Sequence, residues 1–360
     1  MTMLINKRGK YRFYVPCLSH IYRIGCKYNL MGAGMPTLTA KELDHFNSEG
    51  YVVVDNVISE SEILTPLEAE YSDVLDRLAK ELFENSEISS TYSDLPFSER
   101  LTKIYAESGK HHNKYFDFSL PQEGVTLNTP MWHGPAVFNT LTAPSLLDAV
   151  ESIIGPEVYS NPVQHVRMKP PEHLQPKDDS GRAQLVATAW HQDLGVVTAE
   201  ADNTEMLTAW VPVWDANEID GCIHLVPWSH QEGLNFHCGG PNATIQELHI
   251  PDDEFRVEDA VPVPVKRGSV LFMHRLTCHG SLPNKSDRVR FSLDLRYNPI
   301  GQPTGRGAFP GFVARSKAHP ETELNDANEW AESWIRTRSH LAESENPVYS
   351  RWNANNPSCA

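Results

Sequence analysis

The spacing of apolar positions predicts a helix and then a strand at the start of the folded chain. In "LTAKELDHFNSEGYVVVDNV", Leu43 and Phe46 fall on one side of a short helix. Thr39 and Glu42 stand three residues apart, as the two members of a capping box do, and Gly50 ends the pattern. The run "YVVVDNV" is rich in β-branched residues and predicts a strand.

Three later stretches also carry the period of a helix. They are "SESEILTPLEAEYSDVLDRLAKELFE", "APSLLDAVESIIG" and "ETELNDANEWAESWIRTRSHLAE". Gly155 ends the second, and a polar tail follows the third. Residues 86–135 are polar and show no clear period.

The pattern changes to short β-rich runs from about Val158 onward. Gly, Pro, Asn and Asp separate "VYSNPVQHVRMK", "VATAWHQDLGVV", "MLTAWVPVWDA", "CIHLVPWSH", "VPVPVKRGSVLFMH" and "VRFSLDLRYN". Short strands without helices between them are typical of an antiparallel sandwich or barrel of the jelly-roll type. We therefore expect a mainly β protein with flanking helices. Its expected segments are a basic extension (1–36), a jelly-roll domain with N-terminal helices (37–318), and a C-terminal helix with a polar tail (319–360).

Composition narrows the partners that we expect. The chain has 360 residues, and 47 acidic against 31 basic side chains give it a net charge of −16. This charge opposes nucleic-acid binding, and no stretch has the ~18 apolar residues that a membrane span needs. The cysteines are scattered without a CxxC pair, which favours reduced thiols in an intracellular protein: Cys17, Cys26, Cys222, Cys238, Cys278 and Cys359.

The first 35 residues differ from the rest because they contain Lys and Arg but no acid. A targeting presequence has this bias. A start codon assigned too early, with translation beginning at Met31 or Met35, would explain it equally well. We expect a cytoplasmic protein, with organellar targeting by this segment as the alternative. The sequence predicts nothing about the oligomeric state.

Candidate chemistry begins at "TAWHQDLGVV". Residues i and i+2 of a strand point to the same side, so His191 and Asp193 are expected to converge. Such a pair can be a metal site, a proton-transfer pair or a buried hydrogen bond. A third ligand is offered by "LFMHRLTCHGSLPNKSDRVRFSLDL", where His279 is favoured over His274.

Two imidazoles and one carboxylate leave coordination positions open, as in non-haem Fe(II) enzymes that activate oxygen. A 2-oxo acid that chelates such a metal needs a cation for its other carboxylate. Arginine suits this role because its planar fork can grip both oxygens. By strand alternation Arg288 and Arg290 share a face, so either could reach such a ligand.

Several motifs together resemble the phytanoyl-CoA dioxygenase family of Fe(II)/2-oxoglutarate-dependent oxygenases, over roughly residues 38–300. They are "LTAKELDHFNSEGYVVVDNV", "MKPP" with "WHQD", "DGCIHLVPWSH", and "HGSLPNKSDRVR", with its arginine eleven residues after the histidine. The chain departs from the family pattern in two places. Trp228 replaces the usual glycine of the "PGSH" segment, and the segment between "MKPP" and "HQD" is long and polar.

The resemblance implies roles for individual residues. The iron ligands would be His191, Asp193 and His279. The co-substrate 2-oxoglutarate would contact Arg290, Ser281, Trp210, His165 and Thr188. The enzyme would use O₂, with ascorbate as a stimulant, and release succinate and CO₂. Because Asp193 is retained, halogenation is not expected.

The expected reaction is oxidation, most simply hydroxylation, of an unactivated C–H bond in a small organic metabolite. An acyl-CoA substrate is the alternative within the same chemistry. A cupin-like metalloenzyme would have no need of Arg290, and a binding protein would be expected to lose a ligand. An oxygenase acting on protein or nucleic acid is a further class, and the net charge opposes the nucleic acid.

Overall fold

The computed structural model describes residues 38–239, 248–344, 347, 349–352 and 359 of the chain. The expected N-terminal extension, with its targeting and start-codon interpretations, lies outside these residues. No helix in the described ranges is long and apolar enough to span a bilayer.

The helices are α1 (Ala40–Glu49), α2 (Thr65–Glu84), α3 (Phe97–Ser108), α4 (Pro135–Leu141), α5 (Pro144–Ile154) and α6 (Ala327–Glu343). The capping box predicted for α1 is present, because Thr39 and Glu42 each bond to the backbone of the other. Gly50 ends α1 in the left-handed region (φ 82°), where a glycine carries little strain.

The strands are β1 (Tyr51–Val54), β2 (Glu157–Ser160), β3 (His165–Lys169), β4 (Leu207–Pro212), β5 (Ile223–Leu225), β6 (Val261–Val263), β7 (Val270–His274), β8 (His279–Ser281), β9 (Arg290–Pro299) and β10 (Phe312–Ser316). They form two antiparallel sheets. The larger has the order β1-β7-β4-β9-β2-β10, with β3 also paired to β9, and the smaller has the order β6-β5-β8. The predicted mainly β architecture with flanking helices is confirmed.

The two faces of strand β9 differ: one lies in the hydrophobic core, and the other is polar. Its odd-numbered residues 291, 293, 295 and 297 are apolar or aromatic and lie in the main hydrophobic core with residues of the helices. Its even-numbered residues 290, 292, 294 and 296 are polar and point to the other face. In the register, Arg296 lies opposite Thr208, Asp294 opposite Trp210, and Arg290 opposite Lys169. Three strands therefore place polar side chains on one face.

Some predicted elements differ from the structure. The stretch 86–135, which showed no period, contains α3 and the loop that precedes α4. Strand β10 was not expected from the sequence. The run "TAWHQDLGVV" does not form a regular strand. Only His191 pairs, through an isolated bridge to His279, and the chain then enters a single 3₁₀ turn at Asp193–Val196. The i, i+2 pattern therefore places the two side chains correctly, but the strand ends between them.

The expectation of six reduced thiols is wrong for one pair. Cys238 and Cys359 form a disulfide across 121 residues of sequence, a separation at which no spacing motif could reveal it. Cys222 and Cys278 are free and buried, as expected for inert packing. Cys17 and Cys26 lie outside the described residues.

Candidate metal centre

His191, Asp193 and His279 meet at the end of the polar face. One ligand atom from each lies within 4.8 Å of the others, and all three side chains are buried. His191 Nε2 is 3.8 Å from Asp193 Oδ1, and His279 Nε2 is 3.9 Å from Asp193 Oδ2. His279 opens β8, and the paired backbones of His191 and His279 hold the two rings side by side.

Both imidazoles are oriented by the backbone. His191 Nδ1 lies 2.9 Å from the carbonyl oxygen of Ala189, and His279 Nδ1 lies 2.9 Å from that of Thr277. A carbonyl only accepts, so each Nδ1 carries the hydrogen and each Nε2 presents its lone pair to the centre. This arrangement is the one that metal-binding histidines use. The donor set therefore fits a divalent metal such as iron(II).

The protonation of the two ligands next to the 3₁₀ turn suits metal binding. Burial, and then the proximity of His279, lowers the pKa of His191 to about 3, which keeps this imidazole neutral at neutral pH. Burial alone would raise the pKa of Asp193, but Arg296 and the two histidines outweigh it and hold that pKa below its usual range. A metal would therefore meet a carboxylate and an unprotonated imidazole without first displacing a proton from either.

Asp193 is held by two partners that the sequence did not single out. Arg296 donates from Nη2 to Oδ1, and Thr208 donates from its hydroxyl to Oδ2. All three side chains are almost fully buried. The signal for Arg296 was present in the alternation of "RFSLDLR", which puts it on the same face as Arg290. Thr208 could be found only from the register of β4 with β9.

A cavity extends from the metal centre along the polar face. Its lining includes Thr188, Trp210, Arg290 and Asp294 in addition to the two histidines. The indole N–H of Trp210 and the Nε–H of Arg290 are buried there and have no hydrogen-bond partner among the residues that the structure describes. Buried donors without partners are costly, so this cavity is built for a ligand that accepts hydrogen bonds.

The far end of the cavity is cationic. Arg290 is 4% exposed, its Nη1 donates to the carbonyl of Gly221 at 3.0 Å, and burial lowers its pKa to about 10. Lys169 is not a lining residue, but it pairs with Arg290 in the register of β3 with β9. Its Nζ donates to the hydroxyls of Thr188, which lines the cavity, and of Ser281, at 2.5 and 3.0 Å. Burial, followed by repulsion from Arg290, holds the pKa of Lys169 well below its ordinary value. Neither cation has an ion-pair partner among the described residues.

Charges on this face do not cancel. Arg296 pairs with Asp193, and Arg167 donates from Nε to Asp294 at 3.1 Å. Arg290 and Lys169 then remain as two unpaired positive charges in a protein whose net charge is −16. Buried charges are normally paired, so this excess favours an anionic ligand.

The structure places the other candidate site residues outside the cavity lining. Arg288 precedes β9 and forms an ion pair at 2.7 Å with Asp220, with its side chain 43% exposed. His274 ends β7 and packs beside His230, away from the cavity lining. His165 lies on the polar face but is not among the lining residues, and its Nδ1 lies 2.8 Å from Asp117 Oδ2. Its role beside the co-substrate stays a prediction.

Comparison with protein families identifies the family of the chain. A family model for phytanoyl-CoA dioxygenase (PhyH) matches residues 46–292. The chain belongs to the PhyH family. It is accordingly an iron(II)- and 2-oxoglutarate-dependent oxygenase, and the His–Asp–His group stands within the matched residues.

Individual relatives are distant. A phytanoyl-CoA dioxygenase of Arabidopsis thaliana is 24% identical over 72% of this chain and 88% of its own length. The peroxisomal phytanoyl-CoA dioxygenase of Homo sapiens is 23% identical over 72% and 68%. A 1-deoxypentalenic acid 11-beta-hydroxylase of Streptomyces arenae is 28% identical over 48% and 61%. Among solved structures, the non-heme monooxygenase ThoJ aligns with a TM-score of 0.50 at 18% identity, over 84% of this chain and 97% of its own. This last similarity supports the jelly-roll core.

Proposed function

We propose that His191, Asp193 and His279 bind the iron(II) of this PhyH-family oxygenase. The observation that carries the proposal is the convergence of their three ligand atoms within 4.8 Å, with both imidazole Nδ1 atoms tied to backbone carbonyls. Two nitrogens and one carboxylate on one side of a metal leave positions for a chelating co-substrate and for O₂. Bound iron(II) supplies the oxidative decarboxylation of 2-oxoglutarate and the oxidation of a substrate C–H bond.

The co-substrate is proposed to lie along the cavity, with its distal carboxylate at Arg290. The unpartnered Nε–H of Arg290 and the indole N–H of Trp210 are donors available to it. Ser281 and Lys169 lie at the same end, joined by their 3.0 Å contact, and Thr188 completes that group.

The chain's own contribution is binding, orientation and exclusion of water. Arg296 and Thr208 fix the plane of the Asp193 carboxylate, so this ligand keeps one orientation. Burial of the centre removes competing water and strengthens every charge interaction in the cavity.

For the substrate, we propose a small organic metabolite that undergoes hydroxylation. The support is the relative named 1-deoxypentalenic acid 11-beta-hydroxylase, which shows that this family includes enzymes acting on small molecules. An acyl-CoA remains the second candidate, because relatives at 23–24% identity are phytanoyl-CoA dioxygenases. The net charge of −16 disfavours the polyphosphate of CoA. The cytoplasmic location and the lack of nucleic-acid and membrane partners stay predictions.

The test is anaerobic titration of the metal-free protein with iron(II) and 2-oxoglutarate, read from the visible charge-transfer absorption of the chelate. We expect the band in the wild type and its loss in His191→Ala. We expect Arg290→Ala to need much more co-substrate for the same band. Metal binding without a band at any 2-oxoglutarate concentration would contradict the co-substrate assignment.

A further inference from the structure

The C-terminal tail lies against the segment that carries the Asp193 ligand. Trp352 donates from its indole Nε1 to the carbonyl of Gly195 at 2.6 Å. Arg351 donates from Nε to the carbonyl of Val197 at 2.8 Å and from Nη2 to that of Thr198 at 2.7 Å. The tail therefore contacts three backbone carbonyls within the five residues that follow the proposed metal ligand Asp193. These tail residues lie beyond the family match, which ends at residue 292.

His237 links the tail to the ligand segment from the other side. Its Nε2 accepts a hydrogen bond at 3.0 Å from the backbone N–H of Gln192, the residue between His191 and Asp193. Its ring packs so closely on Gly195 that a Cβ there would lie 2.3 Å from the imidazole. The indole of Trp352 stacks on the same imidazole, with centroids 5.0 Å apart and planes 20° from parallel.

A disulfide links the tail to the residue that follows His237. Cys238 follows His237 directly, and its sulfur is bonded to Cys359 of the tail. Before Trp352, the tail is anchored by buried Tyr349, whose ring lies 4.9 Å below the guanidinium of Arg306. The tail is therefore attached on both sides of Trp352.

The Asp193 segment needs such support because it belongs to no strand. Asp193–Val196 is one 3₁₀ turn, and short turns of this kind lack the backbone ladder that holds His279 in β8. Segments with few backbone hydrogen bonds open locally at low free-energy cost. Contacts from outside the turn then decide how well its carboxylate is placed.

We infer that residues 349–352, together with Cys359 and its disulfide to Cys238, form a strap that positions the Asp193 ligand through Trp352 and His237. The inference rests on the proposed function in that Asp193 is taken as a metal ligand. Trp352 and His237 are positioning residues, since neither belongs to the ligand group. The disulfide makes the strap sensitive to reduction, so metal affinity follows the thiol redox state.

Reduction can be carried out without changing the sequence. A phosphine reduces the disulfide by two electrons and is itself oxidised to the phosphine oxide. The S–S bond breaks, and Cys238 and Cys359 become thiols. Water supplies the oxygen of the phosphine oxide and the two thiol protons. Removing the phosphine anaerobically leaves the full-length protein with an open strap. The buried thiols of Cys222 and Cys278 are unchanged by this step.

The experiment measures the affinity of the metal-free, full-length protein for manganese(II), by electron paramagnetic resonance of the free ion. Manganese(II) prefers oxygen and nitrogen ligands, so the new thiols do not compete for it. We expect reduction to lower the manganese(II) affinity about tenfold. Residues that orient metal ligands typically change metal affinity by about 10- to 100-fold, and this value is the lower limit of that range. Cys359→Ser should show the same loss and no further response to the phosphine. Equal affinities of the oxidised, reduced and Cys359→Ser proteins would overturn the inference.

Variants at Trp352 and Leu341 separate positioning from loss of stability. Trp352→Phe keeps the stacked ring but loses the bond to Gly195, so its manganese(II) affinity should lie between those of wild type and Trp352→Ala. Leu341→Ala, in the buried face of α6, should lower the thermal midpoint while leaving the affinity unchanged. A matching loss of affinity in Leu341→Ala would mean that general destabilisation is the cause. If His191→Ala binds manganese(II) as well as wild type, the proposed metal site itself is wrong.

Discussion

Arg296 and Asp193 form an ion pair with almost no solvent exposure, in which Nη2 of the arginine donates to Oδ1 of the carboxylate. The pair joins the middle of β9 to the turn after His191. Arg296 thus compensates the charge of the carboxylate and also fixes its position. An ion pair of this kind is strongly destabilising to break, because one charge stays buried alone.

We expect Arg296→Met to weaken metal binding and stability together. The uncompensated Asp193 carboxylate should cost about 3–5 kcal/mol in free energy of unfolding. Metal affinity should fall about 10- to 100-fold because the ligand is no longer oriented. Isothermal titration with cobalt(II) and urea denaturation measure the two effects. Thr208→Val removes only the other hydrogen bond to Asp193 and should have the smaller effect on both. An Arg296→Met protein with unchanged cobalt(II) affinity would contradict the assigned role.

Arg290 and Arg288 form a matched pair for testing the co-substrate site. Arg290→Ala should raise the KM for 2-oxoglutarate about 30- to 150-fold, because a charged hydrogen bond contributes about 2–3 kcal/mol. Arg288→Ala breaks a surface ion pair with Asp220 and should leave this KM within about twofold of wild type. Steady-state succinate release at saturating substrate provides the measurement. A larger effect in Arg288→Ala would mean that the anion binds elsewhere.

Lys169 should make co-substrate binding depend on pH. Burial holds its pKa well below the ordinary value of 10.5, so its ammonium group loses the proton at a lower pH than an exposed lysine would. An anion binds the protonated form, and the affinity for 2-oxoglutarate should therefore fall as pH rises through that lowered pKa. In Lys169→Met the affinity should be weaker throughout and should vary less with pH. Calorimetric titrations of both proteins from neutral to alkaline pH test this, and parallel profiles would exclude Lys169 as the source.

The three proposed ligands could be predicted because each carries its own local signal. His191 and Asp193 stand two residues apart, and His279 lies in an "HGS" motif at a recognisable distance from Arg290. The capping box of α1 was predictable for the same reason, since both of its members lie within one turn. Local patterns of this kind can be recognised in the sequence without knowledge of contacts between distant parts of the chain.

The supporting residues depend on contacts between distant parts of the chain. Thr208 reaches Asp193 only because β4 pairs with β9 in one particular register. Trp352 and Gly195 are more than 150 residues apart in sequence and meet through the tail. The Cys238–Cys359 disulfide is equally non-local. Register and long-range docking are set by packing of the whole fold, so residue spacing does not contain them.

Variants of Trp228 test the effect of replacing the family glycine at this position. Its backbone is in the left-handed region (φ 50°, ψ 5°), where a side chain costs about 1–2 kcal/mol and glycine costs little. Both Trp228→Gly and Trp228→Ala lose the ring and its contact with Arg256. The glycine variant should therefore be the more stable of the two by about 1 kcal/mol in urea denaturation. At Ile335, on the exposed side of α6, the same comparison should have the opposite sign, because glycine is the poorer helix former by about 1 kcal/mol. If alanine is preferred at both positions, the left-handed conformation of Trp228 is contradicted.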